Sequence, residues 1–268
     1  MKEFYLVSDS VLRGLLFMSL LALLGIAEWR WPRHLGAARR RQRWPVNLGM
    51  GLINALCLRL LTPWLAVDTA VWAHVHNVGL LRWLHVPTVP AALLAFIALD
   101  LVIYGQHRLM HRIDALWRLH RVHHTDTVLD VSSGVRFHPL EILLSMGVKI
   151  AAVLVLGATP AVVLGFEIVL SSFALVTHAN LGLPVHMDAW LRRVFVTPDM
   201  HRIHHSVRRV EHDTNFGFHV SWWDHLFGTY LAEPQQTQQT LKLGLEAFRD
   251  ADAQRFASLL IQPVRRAR

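Results

Sequence analysis

The sequence predicts an all-α, polytopic membrane protein with about four transmembrane helices and a cytoplasmic helical domain rich in histidine. Hydrophobic residues make up 53% of the 268 residues, charged residues make up 17%, and the mean hydropathy is +0.32. This balance is unlike that of an ordinary soluble domain. Several apolar stretches approach the ~20 residues that a helix needs to cross a bilayer. The third observation is the count of 18 histidines, many of which are grouped.

The first apolar stretch covers residues 11–27 and is followed by Trp29 and Trp31, aromatic residues that favour the membrane interface. A basic block comes after this stretch, whereas in a signal peptide the basic residues come first, so we predict a membrane span. The block contains six arginines, which place the loop on the cytoplasmic side: Arg30, Arg33, Arg39, Arg40, Arg41 and Arg43.

The second apolar stretch, residues 46–73, has Arg59 and Pro63 near its middle. We therefore predict that it is kinked or partly re-entrant. Residues 74–86 contain a single arginine, as expected for a loop on the opposite side of the membrane. Residues 89–105 then form a span that returns the chain to the cytoplasmic side.

The last long apolar stretch, residues 142–176, is interrupted by Gly157, Thr159 and Pro160. These residues favour turns, so we predict a helical hairpin that enters the membrane and comes back. Everything after His178 is then cytoplasmic. The tail at 241–262 has apolar residues at helical spacing and predicts an amphipathic helix that lies on the membrane or on the cytoplasmic domain, or packs as ordinary core.

Three short boxes contain eight of the 18 histidines: His107 and His111 in HRLMH, His120, His123 and His124 in HRVHH, and His201, His204 and His205 in HRIHH. Residues at i, i+3 and i+4 share one face of a helix, so each box directs its imidazoles toward one point. All three boxes lie in segments that we place on the cytoplasmic side, where they can converge just beyond the membrane.

The boxes predict metal binding, because each neutral imidazole needs a partner for both ring nitrogens. Eight nitrogens are too many for one tetrahedral zinc ion and suit two metals. Imidazole accepts zinc, copper, iron and nickel, so ligand type alone does not name the metal. Cys57 is the single cysteine, which argues against copper(I) and excludes a four-cysteine iron–sulfur cluster.

The approach to the first box is also polar. Asp100 and Tyr104 precede His107 and His111 at helical spacing and continue the same stripe into the apolar stretch. An ionisable group there is costly unless it has a partner or a role. Asp100 either accepts a hydrogen bond from a metal-binding imidazole, or lines a polar cavity or pairs with Arg59.

At this point the sequence resembles the fatty acid hydroxylase superfamily, which includes sterol desaturases, lipid hydroxylases and alkylglycerol monooxygenase. The resemblance covers about residues 96–232, in which the boxes keep the family's order and spacing. It rests on these motifs: DLVIYGQHRLMHR, LWRLHRVHHT, RFHPLE, THANLGLP, TPDMHRIHHS and TNFGFHVSWWDHLFGTY. We predict three parts: the N-terminal spans with their basic loop (1–95), the hydroxylase-like domain (96–232) and the amphipathic tail (233–268).

The resemblance implies a dinuclear iron centre that uses O2 and two electrons to oxidise a lipid. It implies that these histidines are ligands: His107, His111, His120, His123, His124, His178, His201, His204 and His205. His138 also matches a family position, and we place it on the substrate side or behind a ligand. Asn180, Asn215 and Asp224 lie in matching motifs, where they orient ligands or cap turns.

Some residues depart from the family pattern. His225 stands where relatives often have arginine, and His186, His212 and His219 are peculiar to this chain. His186 is a candidate for an extra ligand, and a solvent-facing role is the alternative for each of the four.

The sequence and the resemblance together predict a membrane-bound di-iron oxygenase that hydroxylates or desaturates a lipid substrate. No haem-attachment motif, dinucleotide-binding fingerprint or cysteine cluster is present, so electrons come from an external donor: a reductase, a ferredoxin or a small haem protein. The alternative is a non-redox zinc metalloprotein or hydrolase, although no box contains the carboxylate base of an HExxH motif. A membrane haem carrier would need its paired histidines within the spans.

Nucleic acid is not an expected partner, because the arginines follow the membrane topology instead of forming a basic domain. Arginine outnumbers lysine 24 to 3, which suggests a GC-rich bacterial genome. We therefore predict an integral protein of a bacterial inner membrane, with the histidine boxes on the cytoplasmic side.

Overall fold

The structure is a computed structural model that describes residues 2–34, 40–62 and 64–266, with side chains from residue 11 onward. Arg39 and Pro63, which the sequence analysis singled out, lie outside the described residues. Regular structure within these ranges is helical and contains no β-strand, as predicted.

In chain order the α-helices are α1 (Lys2–Arg30), α2 (Arg40–Leu61), α3 (Ala66–Val75), α4 (Leu80–Trp83), α5 (Thr88–Arg112), α6 (Asp114–His124), α7 (Pro139–Leu156), α8 (Pro160–His178), α9 (Val185–Leu191), α10 (Pro198–His204), α11 (Arg209–His212), α12 (Trp222–Leu226) and α13 (Phe256–Ile261). Two 3₁₀-helices lie at Val131–Val135 and Gln262–Val264.

Five segments of the described chain are long and apolar enough to cross a membrane: Val11–Arg30, Arg40–Trp83, Thr88–Arg112, Pro139–Leu156 and Pro160–His178. The expected number was about four. The hairpin predicted within 142–176 supplies two of the five, because α7 and α8 are each long enough to span the hydrocarbon core on their own.

The second apolar stretch is interrupted, as predicted. Helix α2 ends at Leu61, and α3 begins at Ala66 and has 10 residues. At 1.5 Å per residue, α3 is about 15 Å long, which is half the thickness of the hydrocarbon core. Its buried Ala66, Val67 and Ala70 belong to the main apolar core.

The main core packs α3 and α5 against α7 and α8. Its fully buried members include Leu99, Val153, Val163 and Phe166. The α7–α8 turn needs Gly157, which has a left-handed backbone (φ +70°), and Pro160 starts the first turn of α8. The core therefore fixes the positions of these four helices relative to one another, and two of them, α5 and α8, carry candidate ligands at their C-terminal ends.

The basic loop is tied to the histidine-bearing end of the bundle by ion pairs. Arg33 pairs with Asp199 (2.8 Å), and Arg40 with the buried Glu28 (3.0 Å). Arg43 pairs with Asp126 (2.7 Å) in the loop after α6. The arginines from which we predict a cytoplasmic loop thus also fix the end of α1 and the start of α2 beside the histidine-bearing helices.

The C-terminal tail differs from the predicted helix over 241–262. Its described residues become α-helical only at Phe256–Ile261. Gly244 has a left-handed backbone (φ +91°), and the Arg249 guanidinium donates to the carbonyls of Leu243 and Leu245, so a helix cannot continue through this segment. Leu241 and Leu243 instead pack on Leu129. These apolar residues of the tail therefore pack in a core, which was one of the two predicted alternatives.

Candidate metal centre

Four helices converge to place the nine candidate ligands. His107 and His111 lie on the last two turns of α5, and His120, His123 and His124 on the end of α6. His178 is the last residue of α8. Helix α10 carries His201 and His204, and His205 follows it directly. Thr197 caps the start of α10, because its side chain accepts a hydrogen bond from the Met200 N–H.

These nine histidines form two groups, within each of which the candidate ligand atoms lie within 4.8 Å of one another. The first, here called the five-histidine group, contains His107, His111, His120, His124 and His204. The second, here called the four-histidine group, contains His123, His178, His201 and His205. All nine side chains are buried. All nine are histidines that the sequence and the resemblance predict as ligands.

Most rings are oriented through Nδ1. The Nδ1–H of His107 donates to the Phe216 carbonyl (2.8 Å), and that of His178 donates to the Ala174 carbonyl (2.7 Å). The His120 Nδ1–H donates to the Glu141 carboxylate (2.7 Å). Since Nδ1 holds the proton in these rings, each Nε2 presents a lone pair toward its group.

The Nε2 atoms face one another closely. His107 and His120 place theirs 3.1 Å apart, and His123 and His178 place theirs 3.0 Å apart. The His123 Nδ1–H also donates to a backbone carbonyl, so the second pair consists of two unprotonated nitrogens. Two lone pairs at this distance repel each other, and a bound cation would relieve the repulsion. This is the geometry expected of ligands around a metal.

Burial, reinforced by neighbouring imidazoles, holds the pKa of the following rings well below its ordinary value: His123, His124, His201, His204 and His205. The rings are therefore neutral near pH 7, the form in which imidazole binds a metal.

The donor set fits two metal ions with nitrogen ligands. Five imidazoles and four imidazoles exceed what one ion of four to six ligands can use, and they divide into two groups around separate centres. In the five-histidine group, Nε2 of His111, His124 and His204 has no hydrogen-bond partner among the described residues. A buried nitrogen left in this state is costly unless a ligand or ion completes it.

The structure corrects two of the alternatives for Asp100. Among the described residues, its Oδ2 accepts a hydrogen bond from the Trp223 indole N–H (2.8 Å), and its Oδ1 lies 3.0 Å from Nδ1 of His219. Its partners are therefore neither Arg59 nor a box histidine. His219, which is peculiar to this chain, is buried beside Asp100 instead of facing solvent.

Tyr104 and Asp224 belong to a chain of hydrogen bonds that ends at the candidate ligand His107. The Tyr104 hydroxyl hydrogen-bonds to Thr229 Oγ1 (2.8 Å), and the Thr229 hydroxyl donates to Asp224 (2.7 Å). Asp224 also accepts the Phe216 N–H (2.8 Å), and the carbonyl of the same residue orients His107. Burial raises the pKa of Asp224 to about 6, against the effect of these hydrogen bonds.

His138 does not contact the histidine groups through the hydrogen bonds that the structure describes, which corrects its expected place. Its Nδ1 accepts the Leu140 N–H at the start of α7, and its Nε2–H donates to the Leu260 carbonyl (3.1 Å). It therefore caps α7 and ties it to the C-terminal tail.

The side chains of Asn180 and Asn215 bind backbone groups of nearby loops, as in the predicted alternative in which they cap turns instead of orienting ligands. Asn180 pairs with both backbone groups of His34 (3.1 and 3.0 Å). Asn215 has a left-handed backbone (φ +55°), and its side chain joins the Met200 carbonyl to the backbone of Leu231. Both hold loops around α10.

The peculiar histidines lie in different surroundings. His186 is exposed on α9 and belongs to neither group, so it is not an extra ligand in this structure. His212 is buried and stacks on Trp117, with ring centroids 5.4 Å apart. Glu141, the partner of His120, is not among the residues predicted from the sequence, although it ends the motif RFHPLE.

Glu141→Ala is expected to weaken metal binding in the five-histidine group by about 10–100-fold. The substitution leaves the His120 Nδ1–H without its carboxylate, and outer partners of this kind usually have effects of that size. Metal affinity measured by competition with a chelator checks this result. Glu246→Ala is the matched control because Glu246 is exposed and pairs with Lys242. Equal affinity of the Glu141 variant and the wild type would contradict the orienting role.

Comparisons with known proteins agree with this arrangement. The fatty acid hydroxylase family model matches residues 92–229, just over half of the chain. An ornithine lipid hydroxylase of Rhizobium tropici is 33% identical over 142 residues, which cover 53% of this chain and 42% of the relative. The human alkylglycerol monooxygenase is 29% identical over 157 residues, which cover 58% of this chain and 34% of the relative.

The chain thus spans less than half the length of these curated relatives. No solved structure matches it significantly. The matched region contains α5 from residue 92 onward, α6 to α8, α10 and the loop that orients His107, and so includes both histidine groups. With the membrane-length helices, this match shows that the chain is an integral membrane protein of the fatty acid hydroxylase family.

Proposed function

We propose that this chain is a membrane-bound di-iron oxygenase that hydroxylates or desaturates a lipid, using O2 and two electrons. The observation that carries the proposal is the pair of buried histidine groups, of which the five-histidine group borders an apolar cavity between the membrane-length helices. The names of the relatives, a lipid hydroxylase and an alkylglycerol monooxygenase, support oxygen insertion into a lipid as the class of reaction.

The nine histidines would hold the two irons, five at one ion and four at the other. When bound, the metal pair supplies the activation of O2 and the two-electron oxidation. In hydroxylation, one oxygen atom of O2 is inserted into a C–H bond, and the other is reduced to water by two protons and two electrons that come from outside the chain.

The cavity has a volume of about 230 Å³ and adjoins the five-histidine group, because His107 and His120 form part of its wall. Its apolar wall includes Leu58, Ile103, Met146 and Leu170, from α2, α5, α7 and α8. These helices belong to candidate membrane spans, so an alkyl chain can reach the cavity without entering water.

The protein's own contribution is to bind and orient. The apolar wall would hold the alkyl chain and exclude water, so that the carbon to be oxidised lies beside His107 and His120. The carbonyl of Phe216 and the carboxylate of Glu141 fix these two rings. Such fixed geometry selects one carbon among many similar ones along a lipid chain.

The electron donor is an external reductase, ferredoxin or small haem protein, and we place the histidine groups on the cytoplasmic side of a bacterial inner membrane. The arginine-rich loop supports this orientation, since Arg33 and Arg43 pair with residues at the same end of the bundle as the histidines. The opposite orientation would place the arginine-rich loop, including Arg43, on the outer side of the membrane, against the positive-inside rule.

Metal content tests the proposal directly. The protein purified in detergent from iron-supplied cells is expected to contain about two irons per chain, with a Mössbauer spectrum of a coupled pair. Stoichiometric zinc that survives iron supplementation would overturn the oxygenase proposal and favour the non-redox alternative. One metal per chain, or none, would also overturn it.

A further inference from the structure

Part of the chain after His178 returns to the level of the membrane-length helices. Helix α8 has 19 residues and is about 28 Å long, so it spans a ~30 Å hydrocarbon core only if its ends lie near the two membrane surfaces. The Phe195 ring contacts the Phe173 ring, with centroids 5.8 Å apart. Phe173 lies five residues, or about 7.5 Å, before the end of α8. Phe195 therefore lies on the membrane side of that end.

A second segment lies deeper between the same helices. The ring centroids of His219 and Phe166 are 5.5 Å apart, and Phe166 lies twelve residues, or about 18 Å, before the end of α8. From the other side, the Trp223 indole N–H donates to Asp100 (2.8 Å), which lies twelve residues before the end of α5. The two contacts agree in depth. Residues 219–223 thus lie between α5 and α8 near the middle of the hydrocarbon core.

The backbones of the two segments satisfy each other. The Val196 N–H donates to the His219 carbonyl (3.0 Å), and the Ser221 N–H donates to the Val194 carbonyl (3.0 Å). Lipid offers no hydrogen bonds, so irregular backbone is tolerated at membrane depth only where protein groups pair with it. The paired segments meet this requirement where they lie between α5 and α8.

The side chains that these segments expose are mostly large and apolar. Six of them lie in residues 190–195 and 222–227: Trp190, Val194, Phe195, Trp222, Leu226 and Phe227. The other two exposed side chains in these ranges are those of Arg193 and His225. The long stem of Arg193 allows its charge to reach the membrane surface, and the His225 ring packs on Tyr230, with centroids 4.0 Å apart. An apolar surface of this kind is typical of contact with lipid or with another protein.

We propose that residues 190–196 and 216–227 form a re-entrant element that enters the cytoplasmic leaflet beside α5 and α8 and exposes its apolar side chains to lipid acyl chains. The occupant of this surface is the bilayer, because the element lies at the depth of Ile97 and Leu101, which are exposed on the membrane-length helix α5. A wholly cytoplasmic chain after His178, as predicted from the sequence, would leave Phe195 and Leu226 in water.

Insertion of this element also affects the position of the candidate metal centre. The element contains Phe216, whose carbonyl orients His107, and α10 begins at Pro198, two residues after Val196. The contact with lipid therefore helps to fix the height of His107 and of the histidines on α10 relative to the membrane.

Spin labels measure the depth of the element in the full protein. Leu226→Cys is made in a Cys57→Ser background, which removes the single native cysteine, and is labelled with a nitroxide in phosphatidylcholine nanodiscs. Molecular oxygen concentrates in hydrocarbon, whereas the nickel chelate NiEDDA stays in water, so the ratio of their collision rates with the label reports its surroundings. We expect an oxygen-to-nickel ratio several-fold higher at 226 than at an aqueous position.

Val210→Cys is the matched aqueous control, because Val210 is 66% exposed, against 68% for Leu226, and lies on α11 outside the element. Leu93→Cys, at an exposed position of α5, is the lipid reference. Phe195→Cys tests the first segment in the same way and provides a second position if Leu226→Cys does not fold. Circular dichroism compares each labelled variant with the wild type.

The outcomes separate the possible surroundings of the element. Ratios at 226 and 195 close to that of Leu93→Cys support the proposal. Ratios equal to that of Val210→Cys would place the element in water and overturn it. Labels that collide with neither reagent would show that a protein surface, such as a second copy of this chain, covers the element, and would also overturn it. The measurement needs no bound metal and no turnover, so its result does not depend on the proposed function.

Discussion

Replacement of His204 by alanine is expected to remove one iron per chain and to lower turnover by more than ~100-fold. His204 belongs to the five-histidine group, and its Nδ1–H donates to the Thr214 carbonyl (2.7 Å), which leaves Nε2 as the candidate ligand atom. Loss of an outer partner of a ligand already costs about 10–100-fold, so loss of the ligand itself has a larger effect.

The reciprocal variant, His123→Ala, removes a member of the four-histidine group. We expect it to lose the other iron, so the two variants retain different ions and have different Mössbauer parameters. His186→Ala serves as the control, because it removes an exposed imidazole that belongs to neither group. Unchanged iron content in both His204→Ala and His123→Ala would rule out these groups as the metal centre.

The grouping of the histidines could be predicted because helical spacing is a local property. The i, i+3 and i+4 positions of HRVHH lie on one side of α6 whatever packs against it. The prediction that each box directs its imidazoles toward one point is wrong, because the second and third boxes are each divided between the two groups, and this division could not be predicted. His123 and His124 are adjacent in sequence yet join different groups, because one residue turns the side chain by about 100° and their partners come from α8 and α10.

Other features depend on contacts between residues far apart in sequence. Asp100 is conspicuous as an acid in an apolar stretch, but its neighbours His219 and Trp223 follow more than a hundred residues later. The apolar spacing of the tail predicts a helix, and the left-handed Gly244 and the carbonyl contacts of Arg249 prevent it. In both cases tertiary contacts outweigh the local pattern.

Arg43→Met is expected to lower the free energy of unfolding by about 3–5 kcal/mol, the usual cost of removing one partner of a buried ion pair. The Arg43 guanidinium donates to both carboxylate oxygens of Asp126 (2.9 and 2.7 Å) and to Asp130 (2.5 Å). Burial alone would raise the pKa of Asp126, but Arg43 and Arg136 outweigh it and hold that pKa below its ordinary value. The variant therefore leaves two buried carboxylates without their main counter-charge.

Unfolding of the purified protein by denaturing detergent, followed by circular dichroism, measures the effect. Arg41→Met is the matched control, because Arg41 lies on the same helix and is exposed, and it should change stability by no more than about 0.5 kcal/mol.

Arg43→Lys should fall between the two, since an ammonium cannot bind Asp126 through two parallel hydrogen bonds. Asp126 and Asp130 lie between α6 and the following 3₁₀-helix, so the loss should also loosen His123 and reduce iron in the four-histidine group. Stability of Arg43→Met equal to that of Arg41→Met would show that the arginine loop orients the protein in the membrane without bracing the metal centre.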